Sequence, residues 1–204
     1  MMNFSVLIAM FSFSLAMSIS PGPINMVIVS SGATYGVRKT FPFVSGATIG
    51  FTLLLLFVGL GFNQVINLYP YFFKYLAIAG SLFIFYVGYL IAFSTPEINI
   101  KDQQQPAFFQ GFLLQWLNPK AWMASASGAS LFSSPDSNQL FLTFSAIYFV
   151  VCYCSLFAWA VLGDKVTIIL NSQFRIRCFN ALMGGTLIVT ACYLLYTQVT
   201  APAV

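Results

Sequence analysis

Six apolar runs, each long enough for a transmembrane helix, dominate this chain of 204 residues. They lie at about residues 4–34, 40–62, 72–93, 108–132, 140–163 and 179–199. A helix needs about 20 mainly apolar residues to cross about 30 Å of hydrocarbon, and only 6% of this chain is charged. The sequence therefore predicts an all-α membrane protein with six transmembrane helices in contact with lipid. It leaves room for a single transmembrane domain, residues 1–204, and for no separate soluble domain.

Basic residues are concentrated in the connections on one side of the predicted bundle. The first, third and fifth connections share the side opposite to the N-terminus, and they contain Arg38, Lys39, Lys101, Lys165, Arg175 and Arg177. Because cytoplasmic connections are enriched in Lys and Arg, this side is predicted to be cytoplasmic. We therefore expect a multi-pass protein of the inner (plasma) membrane with both termini outside. The first segment lacks the basic n-region of a cleaved signal, so we expect it to be retained as a span.

The polar residues argue against several classes of partner. The net charge is only +4 and the basic residues are scattered, so no patch could follow a phosphate backbone, and we expect no nucleic-acid partner. With no histidine and no Cys-x-x-Cys pair, the chain lacks the usual metal ligands, and we expect neither a metal site nor another cofactor. The pattern is compatible with a homodimer and leaves the oligomeric state open.

The chain resembles itself at a shift of 96 residues, the difference between positions 23 and 119. The segment that begins at Pro23 is PINMVIVSSGA, and the one that begins at Pro119 is PKAWMASASGA; Gly88 likewise aligns with Gly184. The shift relates the first span to the fourth and the third to the sixth, so the unit is three helices, residues 1–97 and 104–204. Three spans reverse the direction of the chain, and the units are therefore predicted to be inverted repeats, as in many secondary transporters.

Proline-containing motifs interrupt the first and fourth spans at matching positions of the two repeats. The first span contains SISPGPIN from Ser18, and the fourth contains Asn118-Pro119-Lys120. Proline removes a backbone N–H and clashes with the preceding turn, so both helices are predicted to break there. We expect Pro23 and Pro119 to be the first residues of new half-helices, with Asn118 as an N-cap residue.

The paired breaks predict a transport site. Unpaired backbone groups in lipid cost several kcal/mol each, so the breaks should face protein or a cavity. The positive end of each half-helix attracts an anion such as the carboxylate of an amino acid, and the mid-span ammonium of Lys120 adds to this attraction. We predict no catalytic residue, and the predicted substrate-binding residues are Ser20, Pro21, Gly22, Pro23, Asn25, Gln115, Asn118, Pro119 and Lys120.

Each feature of this site also has a structural explanation. An isolated proline can simply kink a helix, and a lysine near a span end can extend to the interface. Ser20, Asn25 and Gln115 have the alternative role of linking helices by hydrogen bonds.

Glycines in the second and sixth spans are predicted to serve helix packing alone, namely Gly46, Gly50, Gly59, Gly61, Gly184 and Gly185.

Two other classes of membrane protein compete with a transporter. A channel or a structural membrane protein would also be helical, but the paired breaks favour a transporter of a small molecule. A membrane-embedded thiol–disulfide enzyme would use Cys152 and Cys154. Two residues apart on a helix, these side chains point to different faces. We therefore do not expect an enzyme.

Four motifs together resemble the LysE/RhtB amino-acid exporter superfamily over nearly the whole chain. They are SPGPIN from Ser20, GVRK from Gly36, the G-x-x-x-G-F segment from Gly46, and LNPKA from Leu117. The resemblance implies export of amino acids or their derivatives from the cytoplasm, driven by the proton gradient. Many members carry an acidic residue directly after the second glycine, where this chain has Phe51. In this respect the chain looks closer to the branch of the cysteine and O-acetylserine exporter, with threonine- or homoserine-like substrates as the alternative.

Overall fold

The computed structural model describes residues 4–62, 72–93, 107–132, 138–166 and 172–200, and nearly all of these residues are helical. The helices are α1 (Phe4–Ile19), α2 (Pro23–Tyr35), α3 (Val37–Phe57), α4 (Phe72–Ala92), α5 (Phe108–Trp116), α6 (Pro119–Phe132), α7 (Gln139–Val166) and α8 (Gln173–Thr200). α3 continues into a π-helical turn, Val58–Phe62. The described residues contain no strand, which confirms the all-α prediction. Lys101 and both termini, which the predicted orientation involves, lie outside the described residues.

Several of the described helices are long and apolar enough to cross a membrane. Three stretches qualify by length and hydropathy, namely Val37–Gly61, Gln139–Val166 and Phe174–Tyr193. α1 and α2 are bent by 61° at their junction and qualify together as a fourth span. The protein is therefore an α-helical integral membrane protein with three to four such spans among the described residues. The total of six spans remains a prediction.

α3 and α7 form the centre of the bundle. α3 packs against α5 and α7, while α7 also packs against α1 and α2, and α4 packs mainly against α8. Leu54 and Phe144 are fully buried in this core. On the outside, Phe109 and Phe174 are 79% and 75% exposed. An outer surface of this kind suits lipid, which solvates apolar side chains as well as a protein core does.

Glycines allow three pairs of helices to approach closely. A Cβ added at Gly46 would overlap the Phe108 carbonyl of α5, and one at Gly184 would overlap backbone atoms of Gly88 and Ala92 in α4. Cβ atoms at Gly50 and Gly59 would also meet neighbouring helices closely, so the predicted packing role is confirmed at these four positions.

The packing prediction is wrong for Gly61 and Gly185. Among the described residues, apart from chain neighbours and the backbone of the same helix, no heavy atom lies within 4 Å of a Cβ built on either residue. Gly61 instead has a φ of 153°, a backbone conformation that is readily available only to glycine. Its role is to allow the chain to turn at the end of the second predicted span.

The adjacent glycines of α8 provide a matched test of this packing. Gly184→Ala should lower the melting temperature of the purified protein, because its Cβ would overlap α4 backbone, and overpacking of this kind costs about 1–3 kcal/mol. Gly185→Ala has open space for its Cβ, and alanine favours a helix over glycine by about 1 kcal/mol, so its melting temperature should stay equal or rise. Equal melting temperatures for Gly184→Ala and the parent would contradict a close contact between α4 and α8.

Candidate functional site

The first break separates α1 from α2, as the proline motif predicts. α2 begins at Pro23, and Gly22 precedes it in an extended conformation with φ −169° and ψ 177°. The buried Asn25 amide donates hydrogen bonds to the carbonyl oxygens of Ser18 at 3.1 Å and Ser20 at 3.4 Å. Both carbonyls lie at the end of α1, where carbonyls lose their helical partners. Asn25 therefore stabilises the broken conformation from within the motif.

The second break separates α5 from α6. α6 begins at Pro119, and the Asn118 side-chain oxygen accepts a hydrogen bond from the Lys120 backbone N–H at 3.1 Å, as an N-cap residue does. The Trp122 indole donates to the carbonyl of Trp116, the last residue of α5, at 2.7 Å. The positions predicted for Asn118 and Pro119 are thus confirmed.

Lys120 connects the two breaks. Its ammonium nitrogen donates to the Ser20 carbonyl at 2.8 Å, to the Ser20 hydroxyl at 2.8 Å and to the Pro21 carbonyl at 3.5 Å. A Cβ added at Gly22 would lie 3.2 Å from the same nitrogen, so the glycine leaves room for the ammonium. These partners are uncharged oxygens. The cation therefore keeps its attraction for an anion, which a carboxylate partner would largely cancel.

Both breaks border one cavity with about 390 Å³ of empty space, including its opening. Six of the nine predicted residues line it, namely Gly22, Pro23, Asn25, Gln115, Asn118 and Lys120. Ser20 and Pro21 join the same site through their hydrogen bonds with Lys120. Pro119 is not part of the lining; it starts α6 on the side of Gly80 in α4.

α3 and α7 complete the cavity with residues that no motif singled out as binding residues. Phe51, Tyr148 and Cys152 line it, and the Phe51 and Tyr148 rings stack with centroids 4.4 Å apart and an interplanar angle of 22°. Ser18 also lines the cavity, at the end of α1. Tyr148 could have been identified from the sequence as a cavity residue, because it places a hydroxyl in the middle of the fifth apolar run. Tyrosines of membrane helices usually lie near span ends.

The cysteines of α7 point away from each other, as their spacing predicts. Cys152 is buried at the cavity, whereas Cys154 is exposed, and all four cysteines of the chain are free. Cys152 and Cys154 therefore do not form a dithiol pair.

The charge of the cavity is positive. Among the described residues that line it, Lys120 is the charged one, and the N-terminal ends of α2 and α6 contribute partial positive charge. The acidic residues of the chain are Glu97, Asp102, Asp136 and Asp164. The first three belong to connections between apolar runs, and Asp164 lies near the end of α7 beside Gly36. The described wall of the cavity therefore suits the carboxylate of a small solute.

Comparisons with known proteins relate the chain to membrane transport proteins. Residues 15–198 match the family described as LysE type translocator, a range that contains both breaks. The cysteine/O-acetylserine efflux proteins of Escherichia coli and Shigella sonnei are each 26% identical over 137 residues, which cover 67% of this chain and 70% of the relative. No solved structure matches the chain.

Proposed function

Since the chain belongs to the family of LysE type translocators, we propose that it exports amino acids or amino-acid derivatives from the cytoplasm across the inner membrane. The names of the efflux proteins it resembles support cysteine, O-acetylserine or similarly small, neutral or polar compounds as substrates. We further propose that the proton gradient drives export and that both termini lie outside.

The contact between Lys120 and the first break is the observation that carries this proposal. The ammonium donates to the Ser20 and Pro21 carbonyls. A zwitterionic amino acid can replace this contact on both sides. The carboxylate of the amino acid accepts hydrogen bonds from the Lys120 ammonium and from the N-terminal end of α6. Its ammonium donates to the carbonyls of the first break, which Lys120 then no longer contacts. All nine predicted residues are proposed to form or support this site.

We propose that the two repeats, residues 1–97 and 104–204, move against each other to expose the site alternately to the two sides of the membrane. Contacts of the described helices support a two-fold relation. The 96-residue shift maps α1 onto α5 and α3 onto α7, and the equivalent contacts α3–α5 and α7–α1 both occur. Gly88 and Gly184, which the shift aligns, pack against each other. Equivalent residues meet in this way at a two-fold axis.

Export from intact cells tests the function and the substrate together. Cells that overexpress the protein should accumulate one or a few small amino acids or derivatives in the medium, compared with cells that carry an empty vector. A protonophore should suppress this accumulation if the proton gradient drives it. An unchanged medium across all amino acids and O-acetylserine would contradict the proposed function, whereas accumulation that is insensitive to the protonophore would contradict only the driving force.

A further inference from the structure

Phe51, Tyr148 and Cys152 form a wall of the cavity that carboxylate binding leaves unexplained. All three side chains are buried, at 3%, 2% and 3% exposure, although they border the cavity. The stacked rings of Phe51 and Tyr148 present an aromatic surface. The Ser18 hydroxyl, which borders the same cavity, adds a third small polar group to the Tyr148 hydroxyl and the Cys152 thiol. This wall, which we call the aromatic wall, therefore combines apolar surface with small polar groups that carry no charge.

We propose that the aromatic wall is the subsite for the side chain of the substrate and that it selects small, uncharged side chains. The inference rests on the proposed function, because it takes the carboxylate to be bound at Lys120. The aromatic wall and Lys120 border the same cavity, so a small amino acid can contact both at once.

Charge is the first ground for this selectivity. The acidic residues of the chain lie in the connections or at the end of α7, and the described cavity wall contains none of them. A lysine or arginine substrate would bring a second cation into the site beside Lys120, with no carboxylate to receive it. A charge inside a membrane protein is unfavourable unless it is paired or hydrated. Cationic amino acids are therefore expected to be rejected.

Size is the second ground. The Phe51 ring is fixed by its stack on Tyr148, and Tyr148 also packs edge-on against Phe144 with ring centroids 5.7 Å apart. Buried aromatic side chains packed on both sides cannot move aside without losing these contacts. A bulky side chain would therefore meet a rigid surface, whereas a small one fits in front of it.

Efflux from proteoliposomes tests the proposal. The purified protein is reconstituted with an equimolar internal mixture of L-alanine, L-serine, L-leucine and L-lysine, and the external amino acids are measured by mass spectrometry. The parent should release serine and alanine in preference to leucine and should not release lysine. Phe51→Ala should raise the leucine-to-serine ratio by about tenfold or more, since one methylene changes recognition in an apolar pocket by roughly 10- to 200-fold.

A milder variant keeps the test valid if Phe51→Ala does not fold. Tyr148→Phe retains the ring and removes only the hydroxyl, so serine efflux should fall relative to alanine by about two- to tenfold. Phe43→Ala is the matched control, because Phe43 lies on the same helix, is 2% exposed and does not line the cavity. It should change all effluxes by one common factor.

Ratios distinguish a selective wall from a structural one. Uniform losses in Phe51→Ala and Tyr148→Phe, with unchanged ratios between amino acids, would overturn the proposal, and so would release of lysine by the parent at the rate of serine. If the parent releases none of the amino acids tested, including O-acetylserine in a second loading, the proposed function fails and the side-chain subsite fails with it.

Discussion

Replacement of Lys120 by methionine should reduce export by roughly ten- to a hundredfold. Methionine keeps the length of the apolar stem but removes the ammonium, and a hydrogen bond to a charged group contributes about 1.5–3 kcal/mol. The loss should be large because the ammonium lies 2.8 Å from both the carbonyl and the hydroxyl oxygen of Ser20, where the two breaks meet. Lys120→Arg should retain only part of the activity, since a planar guanidinium is larger than the compact ammonium that lies close beside Gly22.

Lys165→Met is the matched control for this experiment. Lys165 is an exposed lysine in the last turn of α7, so the same substitution there should leave export close to that of the parent. Export is measured per amount of protein in the membrane, determined by immunoblot. If Lys120→Met exports as well as the parent at equal abundance, Lys120 is a structural cation and the carboxylate binds elsewhere.

The two breaks could be predicted from the sequence because they have local causes. The geometry of proline determines that Pro23 and Pro119 begin half-helices, and the short polar side chain of Asn118 favours the N-cap position. Both results need only a few neighbouring residues. The family resemblance, based on the same motifs, is confirmed by the match over residues 15–198.

The partners of Lys120 could not be predicted in the same way. They belong to Ser20 and Pro21, 100 and 99 positions earlier in the chain, and only the packed bundle brings them together. Tyr148 and Cys152 were missed for a related reason. Which face of α7 borders the cavity depends on the rotation of the helix against α1 and α3, and the apolar run around it is nearly uniform.

Glycine pairs show the same limit at a smaller scale. The sequence indicates that α8 has a surface of small residues at Gly184 and Gly185, but of these two only Gly184 touches α4.

Helix ends also differ from the apolar runs. α7 and α8 extend past the predicted runs into charged residues such as Asp164 and Arg175. Hydropathy reports where lipid begins and ends, whereas a helix can continue into water.

Asn118→Asp should abolish most export without loss of the fold. Aspartate is as good an N-cap residue as asparagine, so the start of α6 should remain stable. The new carboxylate, however, would stand in the cavity beside Lys120 and at the end of α6 that attracts the substrate carboxylate. Two unit charges about 5 Å apart interact by about 3 kcal/mol at an effective dielectric constant of about 20, which corresponds to roughly a hundredfold weaker binding.

Asn118→Ser separates this electrostatic effect from the loss of the asparagine itself. Serine also caps a helix but carries no charge, so export should stay within a few-fold of the parent, whereas Asn118→Asp should be nearly inactive at the same membrane abundance. The two variants are compared in the same proteoliposome assay, with binding measured as protection of the protein against thermal unfolding by the exported amino acid. Equal export by both variants would mean that no carboxylate binds near the start of α6, because an added negative charge there would weaken the binding of a carboxylate.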